Sequence, residues 1–275
     1  MKNILLTLII LIPLSSCESK KKNPIEKKII TYKIDSVNEE KEINKNEKWV
    51  ESTKIDTTLI FKNAHIVNLK NTDSILISEY YLKNKIIDSL TSKYNNSHQK
   101  ALEIEKHLLK ENEKFVKKDS FGLHLKMKNG NWKLIDLKIN SDESDNTFEY
   151  YFQEFGFYSV RTQWSEGNGY KLINDTDGKV TDLFGRPYFS INGNFLVSVN
   201  ADIDAGYSRN GFQLFKNKNG EIENLGSYEP NGWGFISAKW IDSNNVIFRN
   251  ETFGIKNGIM DYVYYYTKME IKNGG

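Results

Sequence analysis

Three stretches of the chain repeat one pattern, and this repeat constrains the fold more than any other feature of the sequence. Residues 169–183 and 211–225 align without a gap, 42 residues apart. They share a glycine, an aromatic residue, a leucine, a turn glycine, a β-branched residue and a final leucine. Residues 122–137 fit the pattern after a one-residue adjustment, 47 residues upstream of the second stretch. Periods of about 40 to 45 residues with four strands each are typical of β-propeller blades.

Asn-Gly dipeptides punctuate the same part of the chain, among them those at positions 129, 192, 210, 219, 231 and 257. Between alternating apolar segments, Asn-Gly is the strongest short-range signal of a β-hairpin, because both residues tolerate positive φ. The first hairpin is the most direct. We expect one strand face to carry Phe121, Leu123, Leu125 and Met127, with Asn129-Gly130 in the turn and residues 132–139 in the returning strand.

Two helix patterns precede the repeats. Apolar residues every four positions predict a short helix over residues 86–94. Ser97 is expected to cap a second helix, whose apolar stripe runs for about twenty residues through Ala101, Ile104, Leu108 and Phe115. The sequence thus predicts a mainly β protein with one or two helices inserted near residues 83–117. Its strands are expected to form a β-propeller-like stack of antiparallel sheets, with about four to five blades.

The ring of blades either closes or stays incomplete. The last strand, residues 262–271, is expected to pair with an N-terminal strand. The two candidates are residues 28–34 and the strand near Leu59.

One hairpin carries a family resemblance. Residues 189–194 read FSINGN and precede the apolar stretch FLVSV. This segment resembles the Phe-Ser-Pro-Asp-Gly-Lys hairpin of Tol-type and WD-repeat propellers, although Ile191 replaces the proline, Asn192 replaces the aspartate, and the Trp-Asp dipeptide is absent. The resemblance implies a fold and no particular activity.

The N-terminus has the composition of an export signal. Lys2 precedes an apolar stretch, residues 4–13, which is too short to span a bilayer as a helix. The following LSSC resembles the lipobox of bacterial lipoproteins. That resemblance implies that Cys17 becomes the first mature residue and carries acyl chains, of which two or more hold a protein stably on a membrane. Because Cys17 is the only cysteine, the chain has no partner for a disulfide.

The chain divides into four predicted regions: a signal peptide (1–16), a flexible membrane tether (17–48), a mixed strand and helix region (49–118) and the β-repeat region (119–275). The tether is rich in Lys, Glu, Asn and Ser and buries too little apolar surface to fold. Without residues 1–16 the chain has 37 basic and 36 acidic residues. This near-neutral balance argues against a nucleic-acid binder. Because lysines follow Glu18, we expect the protein to be a membrane-anchored lipoprotein of the bacterial cell envelope that faces the periplasm.

The stretch NADIDAGYSRNG, residues 200–211, contains the favoured candidate metal site. Asn200, Asp202 and Asp204 alternate ahead of a glycine, as oxygen ligands of calcium do. The glycine lies one place late for an EF-hand loop, so a loop held by its own Asx side chains is the alternative. Structural calcium is the only cofactor that the sequence suggests.

Candidate ligand-binding residues come from the same region. Tyr207 and Arg209 belong to this loop, and Trp233 lies in the next one, where it is expected to be exposed. The tyrosine run at residues 263–267 is expected to pack inside the stack, because neighbouring blades cover both faces of a sheet.

No nucleophile elbow, zinc-protease motif or phosphate-binding glycine loop occurs in the sequence, so no catalytic residue is assigned and an enzyme is not favoured. The leading hypothesis is a lipid-anchored module that binds an envelope protein or a cell-wall glycan. The alternatives are an envelope hydrolase acting on glycan or peptide, with Asp202 and Asp204 in its site, and an immunity or inhibitor lipoprotein.

Overall fold

Strands make up most of the chain that the structure describes. The computed structural model describes residues 55–78, 80–136, 145–256 and 259–272. The predicted signal peptide, Cys17 and the predicted tether lie outside these residues. In chain order the elements are β1 (Asp56–Ile60), β2 (Ile66–Thr72), α1 (Asn84–Thr91), α2 (Ser97–Glu111), β3 (Val116–Lys118), β4 (Gly122–Lys126), β5 (Trp132–Asp136), β6 (Asp145–Phe152), β7 (Phe157–Trp164), β8 (Gly167–Asn174), β9 (Val180–Leu183), β10 (Arg186–Phe189), β11 (Phe195–Asn200), β12 (Gly211–Lys218), β13 (Glu221–Tyr228), β14 (Trp233–Trp240), β15 (Asn245–Lys256) and β16 (Ile259–Lys272).

The strands form four antiparallel sheets, numbered here I to IV. Sheet I has the order β3-β4-β5, sheet II β6-β7-β8-β9, sheet III β10-β11-β12-β13 and sheet IV β14-β15-β16-β2-β1. The two repeats that align without a gap are the β8–β9 hairpin of sheet II and the β12–β13 hairpin of sheet III. The 42-residue spacing of the two repeats is therefore the distance along the sequence between equivalent hairpins of neighbouring sheets. The mainly β prediction is confirmed, and the four sheets are consistent with a β-propeller-like stack.

The repeated glycine has a steric cause. Gly122 and Gly211 open β4 and β12 with φ of +149° and +139°. A Cβ atom at either position would collide with a backbone carbonyl oxygen of the neighbouring strand, that of Ile135 or of Tyr228. Only glycine fits these two strand starts without strain.

Sheet IV joins the two ends of the described chain. β16 pairs with β2 from Tyr266 opposite Thr72 to Lys272 opposite Ile66, and β1 pairs with the outer edge of β2. An N-terminal strand thus does pair with the last strand. The strand near Leu59 lies one place further out than expected, because a tight turn at residues 61–65 brings β2 between it and β16.

Three apolar clusters separate consecutive sheets. Helices α1 and α2 join the cluster between sheets I and II, which contains Leu123, Leu125, Phe148, Tyr158 and Val160. The other two contain Phe157, Leu172, Leu196 and Phe215 between sheets II and III, and Val197, Phe212, Phe235 and Phe248 between sheets III and IV. The described sheets therefore stack in the order I, II, III, IV.

Both helices lie close to the predicted positions. Ala101, Ile104 and Leu108 form the buried face of α2, as expected. The predicted cap is wrong by one residue, because Asn96 accepts hydrogen bonds from the backbone N–H groups of His98 and Gln99 at 2.9 and 3.1 Å. The helix also ends earlier than predicted, at Glu111.

Two sequence predictions are wrong, that Phe121 belongs to the apolar strand face and that the whole tyrosine run packs inside the stack. Phe121 is 69% exposed because it precedes β4 instead of belonging to it. In the tyrosine run, Tyr265 is 8% exposed but Tyr264 is 49% exposed. The residues on one face of β16 pack against sheet III, and the opposite face has no sheet over it in the described part of the chain.

Within the described ranges, neither helix has the length and apolar character needed to cross a membrane.

Candidate functional site

Hairpin turns from all four sheets meet at one end of the stack. We call this the amide end and define it by residues 128–131, 153–156, 174–179, 190–194, 217–220 and 241–244. The backbone N–H of Lys128 donates to Asp175 O at 2.8 Å, which joins sheets I and II. Asn174 Nδ2 donates to Gly220 O at 2.8 Å, which joins sheets II and III. These bonds fix the turns relative to one another.

Asparagine and serine side chains shape the turns locally. In the FSINGN hairpin, Asn192 Oδ1 accepts hydrogen bonds from Ser190 Oγ at 2.9 Å and from Asn194 N at 3.1 Å. The backbone N–H of Phe195 donates to Ser190 Oγ at 3.0 Å. Such bonds to nearby backbone groups are the reason that Asn and Ser favour turns.

Two neighbouring clefts open at the amide end. One, of about 290 Å³, is lined by turn residues of sheets I, II and III, among them Asn192 and Phe155. The other, of about 470 Å³, extends to the turn of sheet IV at Asn244. The two clefts share Asn194, Asn217 and Asn219 and so form one continuous polar surface.

The asparagines of these clefts fall into two groups. Asn174, Asn192 and Asn217 use their side chains to hold turn groups, Gly220 O, Ser190 Oγ and Gly193 O respectively. Among the described residues, no hydrogen bond is made by the side chains of Asn194, Asn219 and Asn244. The side chains of the first group hold the turns, and those of the second group have no hydrogen-bond partner among the described residues.

A buried carboxylate lies beneath the smaller cleft. Asp175 is 1% exposed and accepts hydrogen bonds from Tyr151 Oη at 2.8 Å and Thr176 Oγ1 at 3.1 Å. Lys128 Nζ lies 4.0 Å from its Oδ1. Burial, reinforced by Asp175, raises the pKa of Tyr151 to about 12, so this phenol remains a hydrogen-bond donor. The arrangement makes a rigid polar floor.

A third cleft, of about 620 Å³, lies between α2 and the start of sheet II. Glu105, Lys118 and Asp145 line it. Glu105 accepts hydrogen bonds from Phe148 N and Lys118 Nζ, both at 2.7 Å, and burial raises the pKa of its carboxyl. Lys118 Nζ also lies 3.3 Å from Asp145 Oδ1 and donates to Asn146 O at 2.9 Å.

This α2 cluster closes the free edge of β6. Glu105 accepts a hydrogen bond from the N–H of Phe148, and Lys118 donates one to the C=O of Asn146. No further strand pairs with these edge groups, and unpaired edge groups can pair with another chain. Both carboxylates share one lysine, so the cluster is better suited to holding α2 than to acid-base chemistry. Sequence analysis did not predict this cluster, because Glu105 adjoins the apolar stripe of α2 and resembles the exposed charged residues of the same helix.

A second buried ion pair fastens sheet II to sheet III. Arg186 Nε donates to Glu149 Oε2 at 3.0 Å, and Tyr170 Oη lies 3.4 Å from Glu149 Oε1. The guanidinium also lies 4.5 Å from the ring centre of Tyr80. The carboxylate of Glu149 and the neighbouring aromatic rings together replace the water that the buried guanidinium of Arg186 has lost.

The predicted ligand-binding residues lie at the opposite end of the stack. Trp233 is only 6% exposed, so the prediction that it is an exposed loop residue is wrong: it begins β14 and packs against Phe235 and Tyr265. Tyr207 is 58% exposed. Arg209 Nη1 lies 3.0 Å from Glu229 Oε1.

The predicted calcium residues form part of an internally bonded loop. Asn200 Nδ2 donates to Arg209 O at 2.6 Å. Asp202 accepts the N–H groups of Gly206 at 2.9 Å and Ser208 at 2.6 Å, one on each oxygen. In the part of the chain that the structure describes, no three acidic, histidine or cysteine side chains are grouped as metal ligands. Calcium at Asn200, Asp202 and Asp204 stays a prediction.

The fold and clefts define a class, a mainly β protein of stacked antiparallel sheets with a polar, turn-built surface. No protein-family model matches the chain, and no curated protein is similar to it.

Proposed function

We propose that this chain is a lipid-anchored protein of the bacterial cell envelope whose β-propeller-like stack binds a polar ligand, a cell-wall glycan, at the amide end. The observation that carries the proposal is the set of three amides, Asn194, Asn219 and Asn244, whose side chains no described residue engages. A primary amide both donates and accepts hydrogen bonds, as sugar hydroxyl and acetamido groups require. Phe155 adds an apolar surface in the same cleft.

The lipid anchor is tested with Cys17→Ser. The variant should move from the membrane fraction to the soluble fraction and lose incorporation of labelled palmitate, while its far-ultraviolet circular dichroism stays unchanged. Ser16→Ala keeps a small residue before the cysteine and should remain in the membrane fraction. If the Cys17→Ser protein stays membrane-bound after processing, the lipobox interpretation is wrong.

Ligand binding is tested with the double variant Asn194→Ala, Asn244→Ala. Each lost hydrogen bond is worth about 1 kcal/mol, so binding to solubilised cell-wall glycan strands should weaken by roughly tenfold or more. Isothermal titration calorimetry measures this change. Asn95→Ala, at an exposed loop position between the helices, is the matched control. Parent protein that does not bind the glycan, or a double variant with unchanged affinity, would contradict the proposal.

An envelope protein as ligand, a hydrolase and an immunity lipoprotein are the alternatives. The hydrolase has less support, because both oxygens of Asp202 accept hydrogen bonds from their own loop. Turnover of glycan or peptide that is lost in Asp202→Ala and Asp204→Ala variants would favour it.

A further inference from the structure

Six Asn-Gly pairs lie in the described part of the chain, with their asparagines at positions 129, 168, 192, 210, 219 and 231. In such a pair the asparagine side chain reacts readily with the following backbone nitrogen, because glycine has no side chain to hinder the approach. The reaction requires that this nitrogen and the side-chain amide are both free to meet. The hydrogen bonds around each pair therefore decide which asparagine reacts.

Hydrogen bonds hold both groups in the turns at positions 129 and 192. The backbone N–H of Gly130 donates to Met127 O at 2.9 Å, and that of Gly193 donates to Ser190 O at 2.8 Å. Each asparagine Oδ1 also accepts a hydrogen bond from the backbone N–H two residues later, at 2.9 Å in the first turn and 3.1 Å in the second. At least two hydrogen bonds must break before either pair can react.

The pairs at positions 168 and 210 are held by strand structure and by side-chain bonds. Asn168 lies inside β8, and the extended backbone of a strand, with ψ of about +135°, turns the next nitrogen away from the side chain. Asn210 Nδ2 donates to Pro230 O at 2.9 Å and to Trp233 O at 2.8 Å. Asn210 Oδ1 accepts a hydrogen bond from the N–H of Asp202 at 3.3 Å.

The pair at position 219 is held at only one of its two groups. The Asn219 side chain forms no hydrogen bond with any described residue, but the N–H of Gly220 donates to Asn217 Oδ1 at 3.0 Å. Asn217 therefore protects an amide that lines both clefts of the amide end.

The pair at position 231 is held at neither group. Asn231 is exposed in the connection between β13 and β14. Within the described ranges, no hydrogen bond engages its side chain or the N–H of Gly232. Gly232 O accepts a hydrogen bond from Thr252 Oγ1 at 2.8 Å, which leaves the nitrogen free. A Cβ atom at Gly232 would meet nothing within 4 Å, so the surroundings of the pair are open.

We propose that Asn231 is a site of spontaneous deamidation. The Gly232 nitrogen loses its proton to the solvent and forms a bond to Asn231 Cγ. The Cγ–Nδ2 bond breaks, and the amide nitrogen takes up a proton and leaves as ammonia. Water then opens the resulting succinimide ring at either carbonyl, which gives aspartate or isoaspartate. The whole reaction consumes one water, releases one ammonia and adds a carboxylate at the end of the stack opposite the amide end.

The test is peptide mapping by mass spectrometry after the whole folded chain has been incubated in warm, mildly alkaline buffer made with heavy-oxygen water. Conversions during the incubation carry the label, whereas those during digestion in ordinary water do not. Each hydrogen bond that must break slows the reaction by about fivefold. Labelled aspartate and isoaspartate should therefore form at Asn231 roughly twentyfold faster than at Asn129 or Asn192.

The same incubation in concentrated urea is the control for the role of the fold. Unfolding removes the hydrogen bonds and leaves glycine after every one of the six asparagines. The six rates should then converge to within about threefold, because the local chemistry is the same.

A variant tests the protection at position 219 separately. Asn217→Ala removes the acceptor of the Gly220 N–H and should speed the conversion of Asn219 by about fivefold in the folded protein. Asn224→Ala, at an exposed position on the neighbouring strand β13, is the matched control and should leave that rate unchanged.

Three outcomes would overturn the inference. The first is a folded protein in which Asn231 converts no faster than Asn129 and Asn192. The second is conversion at Asn231 to aspartate alone, because a succinimide also gives isoaspartate. The third is the same spread of rates in urea as in the folded protein, because the hydrogen bonds would then not be its cause.

Discussion

At the scale of single residues, the most consequential side chains are the buried ionic ones. Lys118 and Glu105 have side chains that are 19% and 4% exposed, and they join α2 to the edge of β6. Lys106 and Glu103 form a geometrically similar pair on the same helix, with side chains 68% and 23% exposed. Water does not screen the charges of the buried pair, and a charge left alone there cannot be hydrated. Breaking the buried pair should therefore cost more stability than breaking the exposed pair.

Replacement of one lysine from each pair tests this difference. Lys118→Met should lower the free energy of unfolding by about 3 kcal/mol at neutral pH, because it leaves Glu105 buried without its cation. Lys106→Met should change that free energy by less than about 1 kcal/mol. Urea denaturation followed by tryptophan fluorescence measures both values, and equal effects would show that the α2 cluster is not structural.

Glu105 should also give the stability a defined pH dependence. Its pKa in the folded protein is raised above the ordinary value of 4.5. As the pH rises, the Glu105 carboxyl therefore ionises in the unfolded chain before it ionises in the folded protein. The stability of the parent relative to Glu105→Gln should therefore be greatest below pH 4.5 and decline as the pH rises through the folded pKa. Urea titrations at several pH values measure the difference, and a difference that grows with pH would refute the assignment.

At the scale of elements, local sequence and tertiary packing contribute differently. The hairpin turns follow from local chemistry: Asn-Gly at 129, 192 and 219 lies in turns between paired strands. The same dipeptide at 210 and 231 instead precedes a strand, and position 257 lies outside the described residues. At these five described positions the glycine has a positive φ, whereas whether two paired strands flank the dipeptide depends on the sheet.

The cap of α2 offers a test at the element scale. Asn96→Ala removes the acceptor of two backbone N–H groups and should cost about 1 kcal/mol in the free energy of unfolding. Ser97→Ala, at the residue that the sequence pattern favoured as the cap, should change it by less than about 0.5 kcal/mol. Thermal denaturation followed by circular dichroism distinguishes the two, and the reverse ranking would place the helix start one residue later.

At the scale of the whole molecule, sheet IV ties the start of the described chain to its end. Val67 and Leu69 on β2 are fully buried against the sheet III cluster. The mixed region and the repeat region that the sequence distinguishes therefore share one sheet. Antiparallel pairing of distant segments has a high entropic cost before it forms, so this closure depends on the rest of the stack being folded.

Two truncations test the role of this closure. Removal of residues 1–48 should leave the thermal midpoint within about 2 °C of the parent, because residues 1–16 are the predicted signal peptide and residues 17–48 are too polar to build a core. Removal of residues 1–73 deletes β1 and β2, uncovers the edge of β16 and should lower the midpoint by more than about 15 °C or prevent soluble expression. Differential scanning fluorimetry gives both midpoints, and a second truncation as stable as the first would contradict the closure.

The sequence by itself determined the periodic features of this protein: the step from sheet to sheet, the hairpin turns, the helices near residues 83–117 and the apolar face of α2. These depend on spacing and on intrinsic backbone preferences, which a single chain segment carries. Tertiary structure alone decided that Trp233 is buried, that Glu105 seals a strand edge, and that the amides of Asn194 and Asn244 adjoin one polar surface. Burial and proximity are properties of neighbours distant in sequence, and pattern within a segment does not encode which neighbours it will meet.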